Sequence, residues 1–241
     1  MDLKNYLFLF DIDGTLINST GTGKKAFIDA IDYIFGISSD RSISFLGGID
    51  NLFFKYFFDK HKGYEYYREY EDYWKRFKIY YIELLKSYTA EEDSILIYPD
   101  VIETVDYLSR ISNIALVTGN IYEGAMIKLK KFGLDVNFKM GGYGETASIR
   151  HEIVNEAIIN SSKILNKQFA NNNIILFGDT QKDVESALYH SIIPVLIDHD
   201  DELRAEATKW GALFHGTFKN INTLLNQIEN NNFIKKNTYY Y

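Results

Sequence analysis

Four short runs of apolar residues recur along the chain, Tyr6 to Phe10, Ile114 to Val117, Ile174 to Phe177 and Ile192 to Ile197, and none alternates strictly with polar residues. A strand with one wet face alternates; a run that is apolar throughout reads as a strand covered on both faces, as in parallel sheets. Between the runs lie stretches with helical spacing: Val101 to Ile111, Ile121 to Phe132, Ile149 to Leu165 and Lys182 to Tyr189. Strand and helix in alternation predict an α/β protein built on a doubly wound parallel sheet. With 46% hydrophobic residues in 241, the chain has enough apolar side chain for a sizeable core.

One long segment, from about Ser19 to Leu96, breaks the alternation and is helical in its spacing. Ala26, Ala30, Ile31 and Ile34 fall on one face, and Tyr66, Tyr70, Tyr73, Phe77, Tyr80 and Leu84 on another. The spacing predicts a helical insertion over 19–96, a second and smaller domain cut into three or four helices at Gly47-Gly48 and Gly63, with 1–18 and 97–241 forming the α/β domain. Most of its many aromatic residues are expected to pack its core, leaving one or two to face a ligand. The Asn-rich stretch from Asn226 to Asn237 and the final Tyr239 to Tyr241 read as a helix end and a tail.

Charge and composition narrow the function. A net charge of -7 argues against a nucleic-acid or anionic-membrane binder, both of which need a basic face. No cysteine means no thiolate chemistry and no disulfides, and the histidines show no ligand spacing. No segment approaches the roughly 18 apolar residues of a membrane span, so a cytoplasmic protein is expected.

In an open parallel sheet, ligands bind beyond the carboxyl ends of the strands. Here the first run ends in Asp11-Ile12-Asp13, the second in Thr118-Gly119-Asn120, and the third in Gly178-Asp179 followed by Asp183. Neighbouring carboxylates resist burial unless a cation or hydrogen bonds compensate them. Acids without thiolate or nearby histidine suit a hard cation such as Mg²⁺, and Mg²⁺ in turn suits phosphate.

The string Asp11-Ile12-Asp13-Gly14-Thr15-Leu16, then Thr118 after an apolar strand, then Gly178-Asp179-Thr180 with Asp183, resembles the haloacid dehalogenase superfamily of phosphohydrolases. The resemblance runs over nearly the whole chain and implies a Rossmann-like core with a helical cap inserted after the first motif. It implies that Asp11 is the nucleophile, forming an aspartyl-phosphate, and that Asp13 is the general acid and later the base. That second role needs a proton held near neutral pH, and two adjacent carboxylates raise one pKa of the pair. Mg²⁺ would be held by the Asp11 carboxylate, the Asp13 backbone carbonyl, Asp179 and Asp183. Thr118 would hydrogen-bond the phosphoryl oxygens, with Ile12, Gly119, Asn120 and Asp50 completing the substrate-binding set.

The superfamily also places a basic residue, usually lysine, on a helix between the second and fourth motifs. Arg150 stands at the expected position; Lys128, Lys130 and Lys131 come too soon after Thr118, and Lys163 too late. Thr-Gly-Asn with an arginine is similar to a branch resembling phosphoglycolate phosphatases. That branch often carries Gly-Arg-Thr-Asp in the cap, where this chain has Gly47-Gly48-Ile49-Asp50 and no arginine; Lys24 and Lys25 are possible substitutes. The expected function is therefore Mg²⁺-dependent hydrolysis of a small phosphorylated metabolite by a monomer or homodimer. A sugar phosphomutase resembling β-phosphoglucomutase and a non-catalytic metabolite-binding protein stay open as alternatives.

Overall fold

The computed structural model describes residues 2–230. The end of the Asn-rich stretch and Tyr239 to Tyr241 lie outside them. In chain order the strands are β1 (Leu7–Phe10), β2 (Ile17–Asn18), β3 (Leu96–Ile97), β4 (Asn113–Val117), β5 (Gly141–Gly142), β6 (Ile174–Gly178), β7 (Ile193–Ile197) and β8 (Leu213–Gly216). The α-helices are α1 (Thr22–Phe35), α2 (Asp50–His61), α3 (Tyr70–Thr89), α4 (Val101–Ile111), α5 (Tyr122–Lys130), α6 (Arg150–Leu165), α7 (Gln181–Tyr189), α8 (Arg204–Trp210) and α9 (Ile221–Asn230). None of these helices is long and apolar enough to cross a membrane.

Six strands form one parallel sheet in the order β5-β4-β1-β6-β7-β8, with β1 at its centre. The all-apolar runs are explained by two cores, one on each face. Phe8 and Phe10 of β1 pack with Phe177 and with α4, α5 and α9 on one side. Leu7 and Leu9 pack with α6 and α7 on the other. Two sheet strands escape the sequence pattern for physical reasons. β5 is a bare Gly-Gly pair, and β8 is a half-buried edge strand with no continuous apolar run.

The register sets the rim. Phe10 pairs with Leu116 on one side and Phe177 on the other, so β1, β4 and β6 end level with one another. Residues 11–13, 118–120 and 178–179 therefore emerge side by side, next to the point where the strand order turns back on itself between β1 and β6.

Between β2 and β3 the chain is helical, with a short 3-10 segment (Tyr64–Glu69) between α2 and α3. β2 and β3 pair antiparallel, Ile17 with Ile97 and Asn18 with Leu96, at the root of the insertion. Its core joins Ala26, Phe27, Ala30 and Ile31 of α1 to Phe54, Phe57 and Phe58 of α2 and to α3. On α3 the buried positions are Trp74, Phe77, Tyr81 and Leu85; Phe77 belongs to the stripe that the spacing predicts, and the other three lie one position round from it. Tyr70, Tyr73, Tyr80 and Leu84 pack partly buried against the same core. Tyr70 donates to Asn51 Oδ1 at 3.0 Å, Tyr80 stacks on Tyr33, and Tyr66 is left exposed on the 3-10 turn.

Candidate active site

A cavity of about 300 Å³ lies between the carboxyl rim of the sheet and the helical insertion. Its floor carries Asp11, Asp13, Thr118, Gly119, Asn120, Arg150, Asp179 and Asp183, and Asp50 faces it from the start of α2. Ile12 does not line it; its side chain is wholly buried in the core beneath the loop.

Asp11 follows β1, Asp179 follows β6 and Asp183 lies in the first turn of α7. Their carboxylates offer oxygens all within 4.8 Å of one another. Gly14 makes this packing possible: its φ of +89° turns the chain away, and a Cβ there would overlap the Asp179 carboxylate. Arg150, the first residue of α6 and buried, compensates two of the three acids. Its Nη2 donates to Asp11 Oδ1 at 2.6 Å and to Asp183 Oδ1 at 2.7 Å, and its Nε reaches Asp183 Oδ1 at 3.0 Å. Asp183 Oδ2 accepts instead from the Thr180 hydroxyl at 2.6 Å, in the capping box that opens α7. Thr180, not Asp179, is the N-cap of that helix, which leaves Asp179 for other work.

Among the described residues Asp179 forms no ion pair, and its carboxylate accepts from the Thr15 hydroxyl at 3.5 Å. Burial, together with the charges of Asp11 and Asp183, raises its pKa well above the carboxylate range. Burial also raises Asp11, an effect that Arg150 opposes and Asp183 reinforces. Three crowded carboxylates with oxygen donors only, one lacking a cation, fit a hard divalent cation.

Asp13 turns away from this group. Lys128 Nζ reaches its two carboxylate oxygens at 2.8 and 2.7 Å, and Asn120 Nδ2 donates to Oδ2 at 2.8 Å. Burial pushes Asp13 up, but Lys128 and Asn120 outweigh it and hold the pKa below the ordinary value. The sequence expectation was that crowding would keep a proton on Asp13. In the structure the group of that pair with the raised pKa is Asp11, lifted by burial and by Asp183 in spite of Arg150, whereas Lys128 and Asn120 hold Asp13 down.

Lys128 is the functional candidate that motif spacing missed. Ten residues after Thr118 it lies too early for the usual basic position, yet it is buried on α5 and also donates to Asn120 Oδ1 at 2.7 Å. A signal existed: Gly124, Ala125, Lys128 and Leu129 share the buried face of α5, and a lysine on a helix's inward face needs a partner. Of the other lysines considered, Lys24 lines the cavity, whereas Lys25 is exposed and pairs with Asp29.

The Thr118 hydroxyl accepts from Asn120 Nδ2 at 2.6 Å and from the Asn120 backbone N–H at 3.2 Å. Gly119 lets the insertion descend onto this loop, since a Cβ there would overlap the Gly48 carbonyl oxygen. The Asp50 N–H donates to the Gly119 carbonyl at 2.8 Å, and Asp50 Oδ2 accepts from the Ile121 N–H at 3.0 Å. Asp50 thus clasps the insertion to the core.

Burial raises the pKa of Asp50 to about 7, against the lowering effect of the Ile121 N–H. A raised carboxylate favours the folded state most below its unfolded pKa, and that contribution is lost as pH rises through the folded value. Between pH 4 and 7, Asp50→Asn should therefore gain stability relative to the unsubstituted protein, by up to about 4 kcal/mol at the upper end. Urea unfolding of both proteins across that range measures it; a constant difference would refute it.

The family model described as haloacid dehalogenase-like hydrolase matches residues 8–195. No curated protein sequence matches the chain. Among solved structures, a hydrolase from Pseudomonas syringae superposes with a TM-score of 0.66 at 19% identity, over 92% of this chain and 99% of its own. A predicted phosphoglycolate phosphatase from Haemophilus somnus 129Pt gives 0.65 at 18% identity, over 92% and 99%. A HAD phosphatase from Thermococcus onnurineus gives 0.60 at 21%, over 91% and 97%. At these identities the likeness is one of fold.

Proposed function

The chain belongs to the haloacid dehalogenase-like hydrolases, and from that premise we propose that it is a Mg²⁺-dependent phosphatase hydrolysing a small phosphomonoester through an aspartyl-phosphate on Asp11. The observation that carries the proposal is the meeting of Asp11, Asp179, Asp183 and Arg150 at the floor of a cavity that also presents the Thr118 hydroxyl.

Asp11, Asp179, Asp183 and the Asp13 carbonyl would hold Mg²⁺, which when bound offsets negative charge on the nucleophile and the phosphoryl group. Arg150 neutralises Asp11, so that a carboxylate can approach a dianionic phosphoryl group without full repulsion. Asp11 attacks phosphorus, the bond from phosphorus to the leaving oxygen breaks, and that oxygen takes a proton from Asp13. The arriving phosphoryl charge favours the protonated form of Asp13 for this half-reaction. In the second half, Asp13 takes a proton from a water that attacks the aspartyl-phosphate, releasing phosphate and restoring Asp11. Its Lys128-paired, ionised form suits that base role. The insertion over 19–96 acts as a cap: with Gly47-Gly48-Ile49-Asp50 seated on the Thr118 loop, bulk water is kept from the reacting centre.

Hydrolysis of p-nitrophenyl phosphate with Mg²⁺, and its loss on chelation, tests the reading. Asp179→Asn should raise the Mg²⁺ concentration needed for half-maximal rate about tenfold or more, because it removes one anionic ligand. Full activity in excess chelator would overturn the metal assignment.

A further inference from the structure

Tyr81 on α3 stands where a phenylalanine would serve the packing equally well. Its ring stacks on Phe77 with centroids 5.5 Å apart and meets Phe27 of α1 edge-on at 5.4 Å, and the residue is 1% exposed. None of these contacts uses the hydroxyl. Elsewhere in the insertion Tyr70 donates to Asn51 Oδ1, and Tyr88 donates to Asp29 Oδ2 at 2.8 Å. Tyr81 Oη has no hydrogen-bond partner among the described residues, yet it is not one of the atoms sealed in the interior, so it opens on the cavity that the residue lines. A hydroxyl drawn out of bulk water without a partner in the chain is unfavourable unless a bound molecule completes it.

Asp50 presents a second unengaged atom to the same cavity. Its Oδ2 accepts from the Ile121 N–H, whereas its Oδ1 has no hydrogen-bond partner among the described residues. Tyr81 and Asp50 act on one another: after burial, the charge of Asp50 and then that of Asp13 raise the Tyr81 pKa well above the ordinary phenol value. The phenol therefore stays protonated and can donate. No hydrogen bond joins it to Asp50 among the described residues, which leaves the pair open to a group set between them. Tyr81 Oη lies 3.7 Å from the position a Cβ on Gly124 would take, at the seam between the insertion and α5. The influence of Asp13 places this corner of the cavity beside the group assigned to protonate the leaving oxygen.

We propose that Tyr81 is a specificity-determining residue, and that the leaving alcohol of the substrate carries a hydroxyl near its ester oxygen that accepts from Tyr81 Oη and bonds to Asp50 Oδ1. A hydroxyl donates and accepts at once, so it completes both protein atoms; an alkyl group completes neither. A site built to bond a substrate hydroxyl discriminates against the analogue that lacks it, because its own polar groups are then left unpaired. Held between Phe77 and Phe27, the Tyr81 ring fixes its hydroxyl in advance, so little is lost in ordering it on binding. The inference rests on reading the site as that of a phosphatase, and it narrows the substrate to phosphomonoesters of hydroxylated alcohols.

The test compares 2-hydroxyethyl phosphate with ethyl phosphate in the unsubstituted protein and in Tyr81→Phe, so that the intrinsic reactivity of each ester cancels between the two proteins. The preference in kcat/KM for the hydroxylated ester should fall about five- to tenfold in Tyr81→Phe, the net worth of one hydrogen bond. The variant should melt at the same temperature or higher, since the substitution breaks no hydrogen bond within the chain. By calorimetry the inert 3-hydroxypropylphosphonate should bind the unsubstituted protein more tightly than propylphosphonate, and Tyr81→Phe should erase the difference. An unchanged preference in Tyr81→Phe overturns the inference, as does an equal loss on both esters. Equal or tighter binding of propylphosphonate to the unsubstituted protein overturns it too. Because the phosphonates report binding without turnover, inert esters beside discriminating phosphonates would overturn the phosphatase reading and leave the ligand class standing.

Discussion

Asp11→Asn is expected to lower turnover of any phosphomonoester by about 10⁴-fold or more while leaving the fold intact. The amide matches the carboxylate in shape and keeps an oxygen for Arg150 Nη2, so the contact now at 2.6 Å survives. It cannot serve as the anionic nucleophile. It also removes one of three like charges lying within 4.8 Å of one another. The variant should therefore melt at the same temperature as the unsubstituted protein or higher, the behaviour of a site whose strain serves its chemistry. Circular dichroism melting beside a phosphate-release assay reads both quantities. Substantial residual activity would remove Asp11 from the nucleophile's role; a large fall in melting temperature would show that the residue is chiefly structural.

Arg150→Met should have the opposite profile, with loss of stability and activity together. The guanidinium is buried between Asp11 and Asp183, and their charges raise its pKa further even though burial alone would lower it. Removing one partner of such a group leaves two buried carboxylates uncompensated, at a cost of about 3–5 kcal/mol. For a domain of this size that corresponds to a fall of about 10 °C in Tm. Activity should drop by about 10²–10³-fold as phosphoryl stabilisation is lost. Mg²⁺ should raise the Tm of Arg150→Met by more than that of the unsubstituted protein, since the metal would partly replace the missing cation. Arg150→Lys should recover only part of either loss, because a single ammonium cannot reproduce the forked contact with both acids. Thermal melts with and without Mg²⁺ decide this, and an unchanged Tm in Arg150→Met would show that the pair contributes nothing to the fold.

The part of the fold most legible in the sequence is the part buried on both sides. Leu7–Phe10 and Ile174–Gly178 announce themselves because each face of the strand meets a separate core. Gly141–Gly142 has no side chains with which to announce anything, and it is a strand only because β4 lies beside it. Within the site, residues adjacent to strand ends were legible because strand order fixes where the chain emerges. Arg150 was expected from the place the resemblance gives a basic residue, and the structure sets it at the start of α6 against Asp11 and Asp183. Lys128 was not, because its role depends on how α5 is rotated against the sheet, and motif spacing along the chain carries no information about that rotation. The stripe on α3 shows the same limit. Tyrosines at three- and four-residue spacing look like a core, yet of the predicted stripe only Phe77 is fully buried, beside Trp74, Tyr81 and Leu85 one position round, and packing against α1 chooses between the two faces.

The central place of β1 also bears on how the chain is made. Leu7–Phe10 is paired on one side with β4 and on the other with β6, whose last residue is Gly178. At ordinary rates of translation, roughly 10–30 s separate the synthesis of β1 from that of β6. For that interval a fully apolar segment waits with at least one edge open, in a topology whose long-range pairings form slowly. The helical insertion, emerging in between and held together by contacts among its own helices, can assemble before the sheet exists. A newborn chain should thus pass through a stage with one finished helical module and one sticky, unclaimed strand, and that stage is where a nascent-chain chaperone has most to protect.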